Sequence, residues 1–496
     1  MGNQLILAYD IGTSSVKTSL VTETGEVYAS AKCDYDTHHP EPGISEQNPE
    51  DWWKCACKTT KALLEQKPDA GKRIAAIGVS GHMLGCVPVD EKCEALHAAL
   101  IHSDSRAGAQ FEAIKAGIGK EELYRISGNV LDSRSSLCKM LWFKEERPEI
   151  YRKTAKFLQS KDFLTARLTG NIDTTDYSDA SHGELMNIHK KAYDAAVYQE
   201  LGLEMEKLPE LHAGMEIVGH VTEEAAKELG IPSGIPVIAG GGDGACADIG
   251  AGNVNTGDIY CSLGTTAWLS QCIEQPYLDP EQRIFNIMSL DGIHSSLFGT
   301  MQSAGGALKW VMNVLGTQDL DEFNALAGKI APGSDGLIFV PYLDGERSPI
   351  FDAKARGMFF GLSMSHTRAH FMRATFEGVA YALNSILKVF EAQGKSGQIR
   401  IIGGGANSAL WKQILADVWK TPVAALQASA NDSTSLGVAA AAGTAVGMFR
   451  DLREATDYIK VKNVTEPSDH QSAYDKYFSV YQKLYEDTKE EMHAIG

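Results

Sequence analysis

Three short segments of this chain combine glycine with small hydroxyl residues, an acid or both in ways that suit phosphate chemistry. The first is Asp10-Ile11-Gly12-Thr13-Ser14-Ser15. Glycine lets a ligand approach the backbone closely, and N–H groups and hydroxyls bind phosphate oxygens. An acid at a strand end can hold a hydrated Mg²⁺. A plain β-hairpin turn accounts for the same residues. Gly264-Thr265-Thr266 offers the same chemistry from the other half of the chain. Two such loops, facing each other across a cleft, would hold the β- and γ-phosphates of a nucleotide. The third segment is Gly240-Gly241-Gly242-Asp243-Gly244. Without bulky neighbours, Asp243 can serve as general base towards a hydroxyl. A helix N-cap is the competing role for that acid. A dinucleotide fingerprint does not fit, because the glycines are not spaced GxGxxG and no acid ends a following strand about 20 residues on.

Three further segments are candidates for ligand walls. Gly403-Gly404-Gly405-Ala406-Asn407-Ser408 precedes a helix whose apolar face carries Trp411, Ile414, Leu415 and Val418. Glycines there let a flat base or sugar lie against the backbone; close packing of strand on helix asks for glycine too. Gly81-His82-Met83-Leu84-Gly85 and His102-Ser103-Asp104-Ser105-Arg106 both follow strand-like runs and would wall a small polar pocket. The plainer reading makes His82 and Met83 structural and pairs Asp104 with Arg106.

The elements that must position these residues alternate between strand and helix. Leu5–Tyr9, Val16–Thr22 and Val27–Lys32 read as strands joined by GTSS and ETGE turns. A helix starts at Asn48-Pro49, since Asn caps well and Pro suits the first helical position. Trp52, Ala56, Thr60 and Leu63 then share one face. Ile74–Ser80 reads as a buried strand, which gives α/β organisation. The chain also repeats itself. LAYDIGTSSV (7–16) is echoed by IYCSLGTTAW (259–268), and PVIAGGGDGA (236–245) by RIIGGGANSA (400–409). Two echoes in the same order imply duplication, hence two similar α/β domains with a cleft between them. The expected division is 1–250, 251–450 and a charged, helical segment 451–496 that packs back.

Composition narrows the classes. At roughly 100–200 residues per domain, 496 residues make two or three domains. Hydrophobic residues at 44% and charged residues at 22% exclude a disordered, collagenous or disulfide-miniprotein chain. The net charge of −18 disfavours nucleic acid and anionic membrane as partners. An anionic substrate would need local cations and N–H groups against that field. The nine cysteines lack a zinc spacing. Cys55 and Cys57 stand two apart in a helical pattern and do not face one ligand. Reduced, buried thiols of a cytoplasmic protein are expected. The first residues lack a basic n-region, and the longest apolar stretch, from Val438, is too short to span a bilayer.

Taken together, these segments resemble the FGGY family of carbohydrate kinases, in the superfamily that includes actin. The resemblance runs essentially end to end. Its most specific part is GMFFGLSMSHTRAHFMRATFEGVAY (357–381), a Gly-x-aromatic-x-Gly-Leu turn and a helix with Ala374 and Glu377 in place. SEQNPEDWW (45–53), PYLDGERSP (341–349) and IIGGGANSALWKQILAD (401–417) are similar to xylulose kinases in particular. The resemblance implies two ribonuclease H-like (actin-like ATPase) domains with a catalytic cleft between them. It implies phosphoryl transfer from ATP, with Mg²⁺, to a sugar hydroxyl, with D-xylulose giving xylulose 5-phosphate as the leading case. Ribulose, erythrulose, erythritol and gluconate are the alternatives. By that analogy Asp243 is the base and Asp10 helps to place Mg²⁺. Gly12, Thr13, Ser14, Lys17, Gly264, Thr265, Thr266 and Gly305 belong to the phosphates; Gly404, Gly405 and Asn407 lie near the adenosine. His82, Met83, Leu84, Asp104, Arg106 and Asp243 contact the sugar. A homodimer is common in the family.

The sugar segments depart from the family pattern. Xylulose kinases read Gly-Gln-Met-His-Gly where this chain has Gly81-His82-Met83-Leu84-Gly85, and Trp-Asn where it has His102-Ser103. The usual sugar-contacting His is therefore Leu84. A buried polar group left unpaired costs ~1–3 kcal/mol, enough to change substrate preference. His82 is the candidate for the missing donor. Two other classes compete. A sugar-sensing regulator on this fold would add a DNA-binding segment and dispense with a base, whereas this chain starts with a strand and has Asp243. An actin-like ATPase without a sugar substrate would need further residues for a polymer or peptide surface.

Overall fold

A computed structural model describes residues 4–183, 185–394, 396–427 and 430–495. The N-terminal hairpin forms as the sequence predicts: β1 (Leu5–Ile11) and β2 (Ser15–Thr22) run antiparallel around the GTSS turn, followed by β3 (Val27–Asp34). Along β1 the side chains alternate between two buried faces. Leu5, Leu7, Tyr9 and Ile11 face helix α1 (Pro49–Gln66), while Ile6 and Ala8 face the opposite layer. Asn48 caps α1 by accepting from the Glu50 N–H at 3.2 Å, and Trp52, Ala56, Thr60 and Leu63 are all buried. β4 (Ile74–Gly81) then lies parallel to β1.

The rest of the first half completes one seven-stranded sheet. Helices α2 (Ser160–Thr169) and α3 (Tyr177–His182) precede β5 (Ile217–His220), β6 (Pro236–Ile238) and the two-residue β7 (Gly241–Gly242), which pairs with the end of β4. Helix α4 (Asp243–Gly250) follows directly.

The second half repeats the plan. β8 (Ile259–Leu263) and β9 (Ala267–Ile273) form the matching hairpin. β10 (Phe285–Met288) and β11 (Ser295–Met301) extend it, and α5 (Gly305–Val314) and α6 (Arg368–Phe390) pack behind. β12 (Ile399–Ile402) runs parallel to β8, as β4 does to β1. After α7 (Ala409–Trp419) come β13 (Val423–Leu426) and α8 (Ala430–Ala445). The first echo is thus a repeat of the hairpin; the second is not matched in topology, because the counterpart of β12 is β4, which pairs with β1, whereas β6 pairs with β4 and β5.

Three expectations change. The last segment is not purely helical: between α9 (Leu452–Thr456) and α10 (Gln471–Ile495), β14 (Val461–Thr465) adds an edge strand to the second sheet. Its polar, exposed sequence hid it, because backbone pairing and one bond from Lys412 Nζ to Asn463 Oδ1, not apolar burial, hold it. Helix α8 lies in the second half of the chain but packs on the first sheet, against β1 and β4. A shared core of Ile6, Ala8, Ala76, Ala245, Ile249, Val438 and Ala442 results, and it joins the two halves across the division expected at residue 250. Finally, Cys33 and Cys55 are paired as a disulfide between β3 and α1, not left as thiols; the other seven cysteines are free and buried. Among the described residues no helix is long and apolar enough to cross a membrane.

The halves touch most closely where α4 crosses α8. A Cβ at Gly250 would lie 1.8 Å from the Ser433 carbonyl oxygen, and one at Gly437 1.8 Å from that of Cys246. Only hydrogen fits at such a crossing. Gly437→Ala should therefore cost about 3 kcal/mol of stability, read as the shift in a denaturant midpoint. An unshifted midpoint would show that the helices separate freely.

Candidate active site

Two cavities meet at the second hairpin loop. One, of 600 Å³, is walled by Leu263, Leu308, Met312, Phe376 and Trp411, with Gly264, Thr265, Gly305, Gly404 and Gly405 along it. Its aromatic rings, Phe376 and Trp411, stand 5.1 Å apart. A flat apolar base fits such walls. Ser408 lines this cavity and caps α7 by accepting from the Trp411 N–H at 3.0 Å; Asn407 is exposed beside it and is not part of the wall. The other cavity, of 430 Å³, is lined by Thr13, His82, Met83, Leu84, Asp243 and Thr266, among others. Thr265 thus opens on one cavity and its neighbour Thr266 on the other.

The first loop is held from behind. Tyr35 donates its hydroxyl hydrogen to the Gly12 carbonyl. The side-chain amide of Gln47 donates to the Thr13 carbonyl at 2.7 Å, and Trp52 Nε1 donates to the Gln47 amide oxygen at 3.1 Å. With its carbonyls turned inwards, the loop leaves Thr13 and Ser14 exposed. Gln47 and Trp52 belong to SEQNPEDWW, a segment noted for its resemblance whose part in the site the sequence did not reveal. Lys17 forms an ion pair with Asp432 of α8 across the two halves, so its amine is not poised over the loop alone.

Asp10 ends β1 and Asp243 begins α4. Burial raises the Asp243 carboxyl to about 6; the Gly244 N–H, donating to Oδ1 at 2.8 Å, works against that. Burial, and next the charge of Asp243, raise Asp10 to about 7, with Lys17 lowering it. Two neighbouring desolvated carboxylates are a poor arrangement without a cation. Among the described residues no group of three His, Cys, Asp or Glu could hold a metal. One or two carboxylates completed by water and phosphate oxygens is the pattern for Mg²⁺, so the donors present fit that ion.

The sugar-wall candidates divide. His82, Met83 and Leu84 line the cavity with Asp243. Both ring nitrogens of His82 are sealed from water and without a partner, so it is not a donor ready at the surface. Asp104 and Arg106 do not line the cavity. The Asp104 carboxylate accepts two bonds from Arg106 Nε and Nη2 (Oδ2 at 2.7 Å), and one from the Ser45 N–H; Arg106 also pairs with Glu46. Sequence reasoning passed over His182 and Arg347, both of which line the cavity. His182 lies in no glycine-rich or acid-bearing segment, and Arg347 was quoted only within a family motif.

The two halves match the N-terminal domain of the FGGY family of carbohydrate kinases over residues 5–250 and its C-terminal domain over 259–446. The xylulose kinase of Staphylococcus epidermidis is 33% identical over 99% of this chain and 98% of its own. The gluconokinase of Bacillus subtilis is 31% identical over 92% and 90%. The structure of ligand-bound xylulose kinase from Lactobacillus acidophilus superposes with a TM-score of 0.94 at 25% identity, covering 99% of this chain and all of that one. The gluconate kinase of the same organism gives 0.92 at 26% identity, covering 98% of each chain. The fold is accordingly the two-domain, actin-like ATPase arrangement, and the chain belongs to the FGGY family of carbohydrate kinases.

Proposed function

We propose that this carbohydrate kinase transfers the terminal phosphoryl group of MgATP to a hydroxyl of D-xylulose, giving xylulose 5-phosphate and ADP. The observation that carries the reading is the single loop Gly264-Thr265-Thr266 opening on both cavities, with Asp243 in the smaller one. The substrate oxygen attacks the γ-phosphorus, the bond to the ADP oxygen breaks, and Asp243 takes the hydroxyl proton. Gly12, Thr13, Ser14, Gly264, Thr265, Thr266 and Gly305 bind phosphate oxygens, and Lys17 shares its charge between Asp432 and the phosphates. Gly404, Gly405 and Asn407 stand by the adenosine. Asp10 is the residue that would hold Mg²⁺, and the ion, when bound, would neutralise phosphate charge. Most of the rate comes from orientation and charge neutralisation. His82, Met83 and Leu84 shape the sugar wall; Asp104 and Arg106 act by stiffening its backbone. A cytoplasmic homodimer completes the proposal, with mass in solution as its check.

A sugar acid is the second reading. It is favoured by Arg347, whose guanidinium lines the sugar cavity without a hydrogen bond or ion pair among the described residues.

ADP release measured with MgATP across D-xylulose, D-ribulose, erythrulose, gluconate and erythritol tests the assignment. D-xylulose should lead; preference for another acceptor would overturn it. Asp243→Asn should reduce kcat by about 10³-fold or more while sugar still binds. Near-normal turnover would remove Asp243 as base. Since Asp243 must be ionised to accept a proton, kcat/KM for the sugar should fall tenfold per unit below about pH 6. The positive charge of Mg²⁺ should move that limb to lower pH under saturating MgATP.

A further inference from the structure

The residues that line the sugar cavity carry hydrogen-bonding capacity that no partner among the described residues uses. Three histidines share its wall: His82, His102 and His182. His82 is sealed, and the buried Nδ1 of His102 has no partner to fix its tautomer. His182 differs. Its Nδ1 lies 3.3 Å from Asn129 Oδ1, and its ring stacks on Phe285 at 5.0 Å between centroids.

The orientation of Asn129 is decided by its other end. Its Nδ2 donates to three backbone carbonyls, those of Ser127, Ser181 and Asn286, at 3.0, 2.9 and 3.0 Å. Three carbonyls surround an NH₂ group, not an oxygen. Asn129 Oδ1 is thus the acceptor facing His182, and His182 Nδ1 carries the hydrogen. Nε2 then presents a lone pair. Burial, and after it the charge of Arg347, lower His182 to about 3, which keeps that lone pair free at neutral pH.

Arg347 supplies the opposite polarity. It comes from the second half of the chain and borders three cavities in series: the sugar cavity, a small one of 30 Å³, and a further polar one of 570 Å³. His182, Leu84 and Phe285 border the first two, whereas Asp243 borders only the first. His182 and Arg347 therefore stand at the end of the sugar cavity away from Asp243.

We infer that His182 and Arg347 read an α-hydroxycarbonyl group at the end of the substrate remote from the phosphorylated hydroxyl. A hydroxyl donates to His182 Nε2, and the adjacent carbonyl oxygen accepts from the Arg347 fork. This rests on the phosphoryl-transfer reading above and narrows its substrate. A ketose offers the group as C1 hydroxyl and C2 carbonyl, an aldonate as C2 hydroxyl and C1 carboxylate. A polyol of equal length lacks the planar acceptor.

The test compares D-xylulose, D-gluconate and xylitol with wild-type protein, Arg347→Lys, Arg347→Met and His182→Phe. Wild type should prefer one of the first two over xylitol by about 100-fold or more in kcat/KM. The preferred substrate identifies the source of the group. Arg347→Met should bring xylitol within about tenfold of it, chiefly through KM for the sugar, with KM for ATP as the internal reference. Arg347→Lys, which keeps the charge and loses the fork, should fall between. His182→Phe should raise KM for the preferred sugar. Xylitol used as well as D-xylulose and gluconate by wild type, or discrimination unchanged in folded variants, would overturn the inference. If no acceptor is phosphorylated, thermal shift separates the two ideas. Stabilisation by D-xylulose or gluconate but not xylitol, lost in Arg347→Met, would sustain the recognition while the kinase reading fails; equal or no stabilisation by all three would overturn both.

Discussion

Two buried carboxylates, one near the end of β1 and one at the start of α4, set the terms for this structure. Asp10 and Asp243 are each desolvated, and Asp243 raises Asp10 further. Neither sits in the protein's own cationic cage. Lys17, the cation that lowers Asp10, is engaged with Asp432. Such a pair is tolerable only where a ligand completes it, which explains why loop backbone, hydroxyls and cavities converge there. The protein supplies acid and shape; on the proposed reading the positive charge would come with the nucleotide and its cation.

Holding Asp243 in place takes two further buried arrangements. Its helix, α4, ends in the glycine crossing with α8, so Asp243 is fixed to an element that packs against both halves. The second is Lys161 of α2, fully buried with Asp162, Asp176 and Asp179. Asp176 caps α3, and Ser178 in α3 accepts from the Gly242 N–H at 2.9 Å, one residue before Asp243. Burial pushes Asp179 far up, towards its neutral form, which reduces the number of like charges around one lysine. Removing one partner from such a cluster leaves an uncompensated charge, at a cost of about 3–5 kcal/mol. The cluster therefore stiffens the strand end that leads into Asp243.

Much of this was legible because it is local. The GTSS and GTT loops, the Asn48 cap and the glycine run before Asp243 announce themselves by residue type at fixed spacing. Duplication was legible from the first echo, since each hairpin needs the same small residues; the second echo joins strands at different places in their sheets. What the sequence hid depends on contacts between distant segments. β14 has no apolar period, because it is an exposed edge. α8 is uniformly Ala- and Gly-rich, and nothing in it says which sheet it covers. Asp104 and Arg106 look like ligand residues until Ser45 and Glu46 are seen to satisfy them. His182 and Arg347 lie 165 residues apart and acquire a meaning only when one cavity unites them.

The departures at Leu84 and His102 share one support. Buried Lys139 donates to the carbonyl of Leu84 at 2.6 Å and to that of Ile101 at 2.8 Å. Leu84 is held at φ +58°, the left-handed region, where a branched leucine is strained and histidine is better tolerated. The backbone geometry therefore suits the histidine of the family pattern, and leucine occupies it against local preference. What offsets the strain is the apolar wall: Leu84 packs in the core that Met83 and Phe285 share, beside the ring of His182. Lysine fixes the backbone and the side chain decides the wall. Substitutions at 84 and 102 can thus change what the cavity recognises without moving the strands that carry Asp10 and Asp243.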